Sequence, residues 1–180
     1  MLTVTIPEIE CFNNKDSTFM IIKAQTLQLE HSLVSLSKWE AKWKKPFIGN
    51  TEKTYEEIQD YIRCMTITQD VDPMMYGFLP KSIYDQINAY IDEPMTATTF
   101  KDEPTGKTSK EVITSEIIYY WMITLNIPIE FQKWHLNKLL TFIKVCHIKN
   151  APPKKMSLKE QAEETRRLNA ERRQKYNTKG

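Results

Sequence analysis

The sequence predicts an α+β fold, mainly α-helical, with an N-terminal β-hairpin, a helical body and a mobile charged C-terminal tail. Three observations predict it. Apolar residues recur mostly in three- and four-residue steps, the spacing of one helix face, whereas β-branched runs gather near the N-terminus. Only four glycines occur in 180 residues, which disfavours a nucleotide-binding sheet with glycine-rich turns. The final thirty residues hold nine Lys/Arg against four Glu, a net +5, while residues 1–150 hold sixteen Lys/Arg against nineteen Asp/Glu, a net −3. A segment so poor in apolar side chains buries too little to offset an ordering entropy of roughly 1–2 kcal/mol per residue. The division expected is therefore a globular domain over residues 1–150 and a flexible or partly helical tail over residues 151–180.

Taken in order, Thr3–Ile6 and Thr18–Ile22 are β-branched and aromatic runs flanking the turn-prone Asn13-Asn14-Lys15-Asp16, which predicts a hairpin, with Thr26–Leu29 as an extension. Ser32 can cap a helix carrying Leu33, Leu36, Trp39 and Trp43 on one face until Pro46 stops it. Thr54-Tyr-Glu-Glu57 reads as a capping box ahead of the stripe Ile58, Tyr61, Ile62 and Met65. Pro80 suits a first helical turn, followed by Ile83, Ile87, Tyr90 and Ile91 until Asp92-Glu93-Pro94 ends the element. Met95–Phe100 reads as a short strand, and Lys101–Lys110 as an exposed polar loop. Ser109 can cap a helix through Val112, Ile113, Ile117, Tyr120, Trp121 and Thr124, broken by Asn126-Ile127-Pro128; Phe131, Leu139, Phe142, Ile143 and Cys146 mark the next. The stretch Ile117–Ile123 is apolar almost all round, as expected of a helix surrounded by others.

That stretch is also the longest apolar run, far below the roughly 20 residues that cross a bilayer, and no basic leader precedes a cleavable apolar stretch. By these rules the chain is neither secreted nor membrane-spanning. Cys11, Cys64 and Cys146 are odd in number and lie in hydrophobic contexts, which fits reduced thiols inside a cell.

Catalytic and cofactor signatures are weak. Gly106-Lys107-Thr108 matches the end of a phosphate-binding loop, but Lys101 stands where the loop's first glycine belongs and Pro104 removes an amide N–H from the cradle. Cys146-His147 with His135 has neither paired-cysteine nor His-Glu-x-x-His spacing, and adjacent helix residues point about 100° apart. His31, beside Glu30, can cap or pair at a strand-to-helix junction, with no nucleophile or acid placed beside it. No metal, no cofactor and no catalytic residue is expected.

The remaining candidates are partner-binding. Trp39 and Trp43, interleaved with Lys38, Lys42, Lys44 and Lys45, serve core packing, a protein-binding face or nucleic-acid contact; Glu40 interrupts the positive face. Trp121 and Trp134 flank the Asn126–Pro128 turn where packed helices cover them, so they read as core. In the tail, Glu160, Glu163 and Glu164 precede Arg166, Arg167, Arg172 and Arg173, the order a helix dipole favours, and Leu158, Ala162, Thr165 and Leu168 form a thin apolar stripe. Such a helix suits docking in a partner groove, ahead of a purely solubilising role or nucleic-acid contact.

Three features together resemble tailed-phage proteins of the tail-assembly-chaperone kind. They are the acidic helical body with Leu29-Glu-His-Ser-Leu-Val-Ser-Leu-Ser-Lys-Trp39-Glu-Ala-Lys-Trp43, the Pro152-Pro153 linker, and the ending Arg167-Leu-Asn-Ala-Glu-Arg-Arg-Gln-Lys-Tyr-Asn-Thr-Lys-Gly180. The resemblance implies a non-enzymatic protein of the host cytoplasm that keeps the aggregation-prone tape-measure protein soluble while tail subunits polymerise. Partners implied are the tape-measure protein, tail-tube subunits or a second copy. The site residues expected are Trp39, Trp43, Arg166, Arg167, Arg172 and Arg173. Rival expectations are a structural virion component of the neck, tail or baseplate, and a small nucleic-acid-binding regulator.

Overall fold

A computed structural model describes residues 1–13, 18–49, 52–100, 112–151 and 158–177. The chain divides into two units, Met1–His147 and Ile148–Gly180.

The first unit opens with four short strands: β1 (Leu2–Ile6), β2 (Ile9–Asn13), β3 (Thr18–Ile22) and β4 (Gln25–Leu29). The expected partnership of Thr3–Ile6 with Thr18–Ile22 is replaced by a nested one, β1 with β4 and β2 with β3, both antiparallel. Ile6 lies opposite Gln25 and Ile9 opposite Ile22, three residues along on each side, so both ladders share one register and the four strands read as a single long ribbon interrupted at Pro7-Glu8 and Lys23-Ala24. The interruption has a local reason, since Pro7 has no N–H to donate to a ladder. Alternation does the rest: Val4, Ile6, Leu27 and Leu29 point inward while Thr3, Thr5, Thr26 and Gln28 face solvent. The outer edge of β4 is sealed by the chain leaving the second helix, through Glu30 N to Met65 O at 2.8 Å and Ile67 N to Gln28 O at 2.8 Å.

Helix α1 (Leu33–Trp43) starts at the expected Ser32, in a capping box closed by Ser35, and ends where Lys44 turns left-handed at φ 56°. Helix α2 (Tyr55–Met65) has the Thr54/Glu57 capping box read from the sequence. After a 3₁₀ turn over Pro73–Gly77 comes α3 (Lys81–Asp92), with Pro80 one position earlier than expected, at the N-cap. Met95–Phe100 forms no strand. Helix α4 (Ser115–Thr124) is shorter than expected, with Val112 and Ile113 lying before it; the Ser109 cap and the Gly106-Lys107-Thr108 motif fall outside the described residues. Phe131 sits in a separate 3₁₀ turn, Ile129–Lys133, ahead of α5 (Leu136–Asn150). In the second unit, α6 covers Leu158–Tyr176. No helix among the described residues is long and apolar enough to cross a membrane.

Two apolar cores form in the first unit. One gathers the inward side chains of β1 and β4 with Trp39, Tyr61, Ile62 and Met65, and with Ile83, Ile87 and Tyr90 of α3. The other joins Leu33 and Leu36 to Ile118 and Met122 of α4 and Leu136, Leu139 and Ile143 of α5. The expectation that α4 is enclosed on all sides is corrected: Tyr120 and Ile123 are 64% and 75% exposed, so one flank faces water. Trp121 and Trp134 are half-buried, Trp121 against the second core and Trp134 stacked on Phe131 at 3.8 Å.

Glu40 ties the two cores. Its buried carboxylate accepts from Phe47 N at 2.9 Å and from Ser115 N at 2.7 Å, so it serves as the N-terminal cap that Thr114 does not provide to α4. Removing it leaves two N–H donors without their acceptor. Glu40→Ala is expected to cost about 2–4 kcal/mol in urea unfolding, against about 0.5 kcal/mol or less for exposed Lys38→Ala.

Candidate functional site

The two tryptophans expected at a partner face have separate fates. Their rings lie 6.3 Å apart, as i,i+4 neighbours on α1 should. Trp39 is 1% exposed, and its Nε1 donates to Glu57 O at 2.7 Å. It belongs to the core and offers a partner no surface, which corrects its expected contact role. Trp43 is half-buried in the last turn, with Nε1 donating to Asp60 Oδ2 at 2.8 Å.

Two of the four interleaved lysines are paired with carboxylates of α2. Lys42 pairs with Asp60 at 2.7 Å and Lys45 with Glu57 at 2.5 Å; Arg63 adds a contact to Asp60 at 2.9 Å. Burial alone would raise the Asp60 carboxyl, but hydrogen bonds from Lys42, Trp43 and Arg63 outweigh it and hold the group below the usual carboxylate range. The Lys45 hydrogen bond, with the Thr54 N–H, lowers Glu57 likewise. A nucleic-acid face needs positive charge left over for phosphates, and here two of the four lysines clamp α1 and its C-terminal turn onto α2.

Arg166, Arg167, Arg172 and Arg173 are exposed on α6 in the second unit. Arg167 bonds Glu164 at 2.7 Å and lies 3.9 Å from Glu171. Among the described residues Arg166, Arg172 and Arg173 make no salt bridge. Leu168 is 41% exposed, and Ala162 and Thr165 of the same stripe are exposed as well.

The site missed in the sequence lies between α2 and α3. A groove of about 540 Å³ is walled by Tyr55, Ile58, Tyr61 and Ile62 on one helix and Tyr84, Ile87 and Ile91 on the other, with Phe47 and Leu79 between. Phe47 stacks on Tyr61 at 3.9 Å, making an aromatic floor. Tyr84 Oη lies 3.2 Å from both Tyr55 Oη and Tyr76 O, which joins the two walls at one end. Lys53 and Lys81 stand in the lining, Lys53 Nζ 4.6 Å from the Phe47 ring. A signal was available: Tyr55 stands three and seven residues before Ile58 and Ile62, and Tyr84 three and seven before Ile87 and Ile91, so each tyrosine widens its helix's apolar stripe.

The titratable residues of the interior form a closed cluster. Tyr61 Oη and His31 Nδ1 are 2.6 Å apart, the His31 and His135 rings are 5.0 Å apart, and His135 Nε2 lies 2.9 Å from Tyr90 O. Burial, then the neighbouring His135, pushes His31 down to about 3; burial also lowers His135, against the pull of the Tyr90 carbonyl. Both imidazoles are neutral at pH 7, and Tyr61, raised by burial, keeps its proton. Cys146 is half-buried against the second core and His147 is exposed beside Trp121. Among the described residues no group of three or more His, Cys, Asp or Glu is placed to hold a metal ion.

Comparison with protein-family models, curated proteins and solved structures finds no match.

The neutral histidines set a pH dependence. An unfolded histidine binds its proton below about pH 6.5, whereas folded His31 refuses it down to about 3, so stability is complete above pH 6.5 and falls as the pH drops between those values. The loss expected from His31 between pH 7.5 and pH 5 is about 2 kcal/mol, with His135 adding in the same direction. Glu57 and Asp60, whose folded values are depressed, add losses that begin near about pH 5, where unfolded carboxyls start to take up protons, and deepen below it. Urea unfolding across pH 7.5 to 4.5 measures the slope, and flat stability down to pH 5 contradicts a neutral buried pair.

Proposed function

We propose that this protein is a non-enzymatic assembly chaperone of the tailed-phage kind, which binds the tape-measure protein in the host cytoplasm and keeps it soluble while the tail forms. The groove between α2 and α3 is the observation that supports this most. It is open, apolar and aromatic, the surface chemistry that covers a client's exposed hydrophobic side chains. Its rim residues Tyr55 and Ile58 are 58% and 37% exposed, and Tyr120 and Ile123 of α4 add a second apolar area.

Binding of this kind is reversible by construction. The groove offers a limited apolar area, and much of the energy of burying it is taken up by the lost freedom of the two partners. Helix α6 supplies a second, tethered contact through Arg166, Arg167, Arg172 and Arg173, raising the effective concentration without deepening the groove. In this reading Trp39 holds the groove's support in place and Trp43 holds α2, so their effect on a client is indirect.

Co-expression with the tape-measure protein tests the proposal. The full chain is expected to move that protein into the soluble fraction. Replacing Arg166, Arg172 and Arg173 with Ala is expected to leave unfolding within about 0.5 kcal/mol of wild type while reducing co-purified client, most strongly at low salt. Failure to solubilise the tape-measure protein, or a fixed copy number in purified virions, contradicts the proposal; the second result would favour a structural virion component.

A further inference from the structure

We infer that the α2/α3 groove receives an acidic amphipathic helix of the partner, its apolar face inward and its carboxylates against Lys53 and Lys81. This rests on the client-binding reading above and specifies the chemistry of the client segment.

The inner face of the occupant is set by what the groove lacks. Its floor, Tyr61, Ile62 and Ile87, is buried core that closes the groove from below, and the surface left to an occupant lies on the walls, Tyr55, Ile58, Tyr84 and Ile91, all apolar or aromatic. The tyrosine hydroxyls of the wall already engage each other and the Tyr76 carbonyl. Asn88 is the remaining polar side chain of the lining apart from the lysines. Large apolar side chains fit such a surface, and a polar segment would lose its hydration for nothing in return.

Charge sets the flanks. Lys53 and Lys81 are the charged residues of the lining, both cationic, and neither makes a salt bridge among the described residues. The contrast with Lys42 and Lys45, each matched to a carboxylate of α2, is direct. An occupant bearing Asp or Glu beside its apolar stripe completes these two cations; one bearing Lys or Arg is repelled.

The form of the groove favours a helix over a small amphiphile. Its volume of about 540 Å³ would accept a small ligand, yet Tyr55 and Ile58 stand exposed along the rim and a molecule confined to the interior leaves them wet. A helix laid between two helices covers both walls and the rim together, with side chains at i, i+3, i+4 and i+7 pointing down. The α6 segment of a second copy fits less well, because its four carboxylates, Glu160, Glu163, Glu164 and Glu171, are outnumbered by Lys159, Arg166, Arg167, Arg172, Arg173 and Lys175, which the same lysines repel.

Fluorescence anisotropy with the full chain and three labelled helical peptides tests this. One carries a Leu/Phe stripe with Glu flanks, the second the same stripe with Lys flanks, and the third Glu flanks with the stripe replaced by Ser. The Glu-flanked striped peptide is expected to bind saturably and at least about tenfold tighter than the Lys-flanked one, and the double variant Lys53→Glu/Lys81→Glu is expected to reverse that order. Ile58→Glu should abolish binding with an unchanged melting curve; should that variant fail to fold, Tyr55→Glu at the more exposed rim takes its place. Equal affinity for the two striped peptides, a preference that survives charge reversal, binding of the stripeless peptide, or no peptide binding while sodium dodecanoate saturates the groove would each overturn the inference. If the peptide preference fails but Ile58→Glu still prevents solubilisation of the tape-measure protein, the acidic-helix inference falls alone. If Ile58→Glu leaves solubilisation intact, the groove loses its role in client binding altogether.

Discussion

Helix α1 has to satisfy two cores at once, and the first unit is organised around that demand. Leu33 and Leu36 near its start pack with α4 and α5, while Trp39 one turn further packs with the ribbon, α2 and α3. The adjacent Glu40 then uses its two carboxylate oxygens to hold the turn at Phe47 and the first turn of α4. A buried carboxylate is costly unless its lone pairs are filled, so once Glu40 is placed, both backbone N–H groups must stay where they are. Loss of α1 would therefore open both cores together.

The groove is a consequence of how α2 and α3 are held. Helix α2 is fastened to α1 on one side by the Trp39 indole and on its polar edge by Lys42, Lys45 and Trp43. Helix α3 is fastened elsewhere: its C-terminal carbonyls at Tyr90, Ile91 and Glu93 are taken by His135 and Asn137 from the start of α5. The two helices share the first core on their inner side, their outer edges are joined by the Tyr55–Tyr84 hydroxyl pair at one end, and they line the groove along the rest. The neutral histidines are part of this arrangement, since His135 must donate to Tyr90 while its ring packs against His31. Their burial serves the support of the groove.

Much of this was legible in the sequence wherever the cause is local. Ser32 and the Thr54/Glu57 pair cap the helices they were expected to cap, and Asn126-Ile127-Pro128 ends α4 as read. What was not legible depends on partners distant in sequence. The start of α4 is set by Glu40, 75 residues away, so no residue near Thr114 announces it. The strand pairing needed the weakly patterned Ile9–Asn13, whose Glu10 and preceding proline hide its β character. Trp39 and Trp43 share a helical face and look alike in sequence, yet one is sealed by α2 and the other sits at its edge. The groove was hidden for a related reason: Tyr55 and Tyr84 widen the stripes of α2 and α3 beyond what the core covers, and helical spacing alone does not separate the covered part from the open part.

Hydrogen exchange of the full chain, alone and mixed with the proposed client, the tape-measure protein, tests the central claim most directly. The account predicts slowed exchange in peptides covering residues 52–65 and 79–91, the two walls of the groove, with the amides of α1 already protected in the free protein and changing little. Unchanged exchange across both walls, with protection gained elsewhere in the first unit, would contradict it.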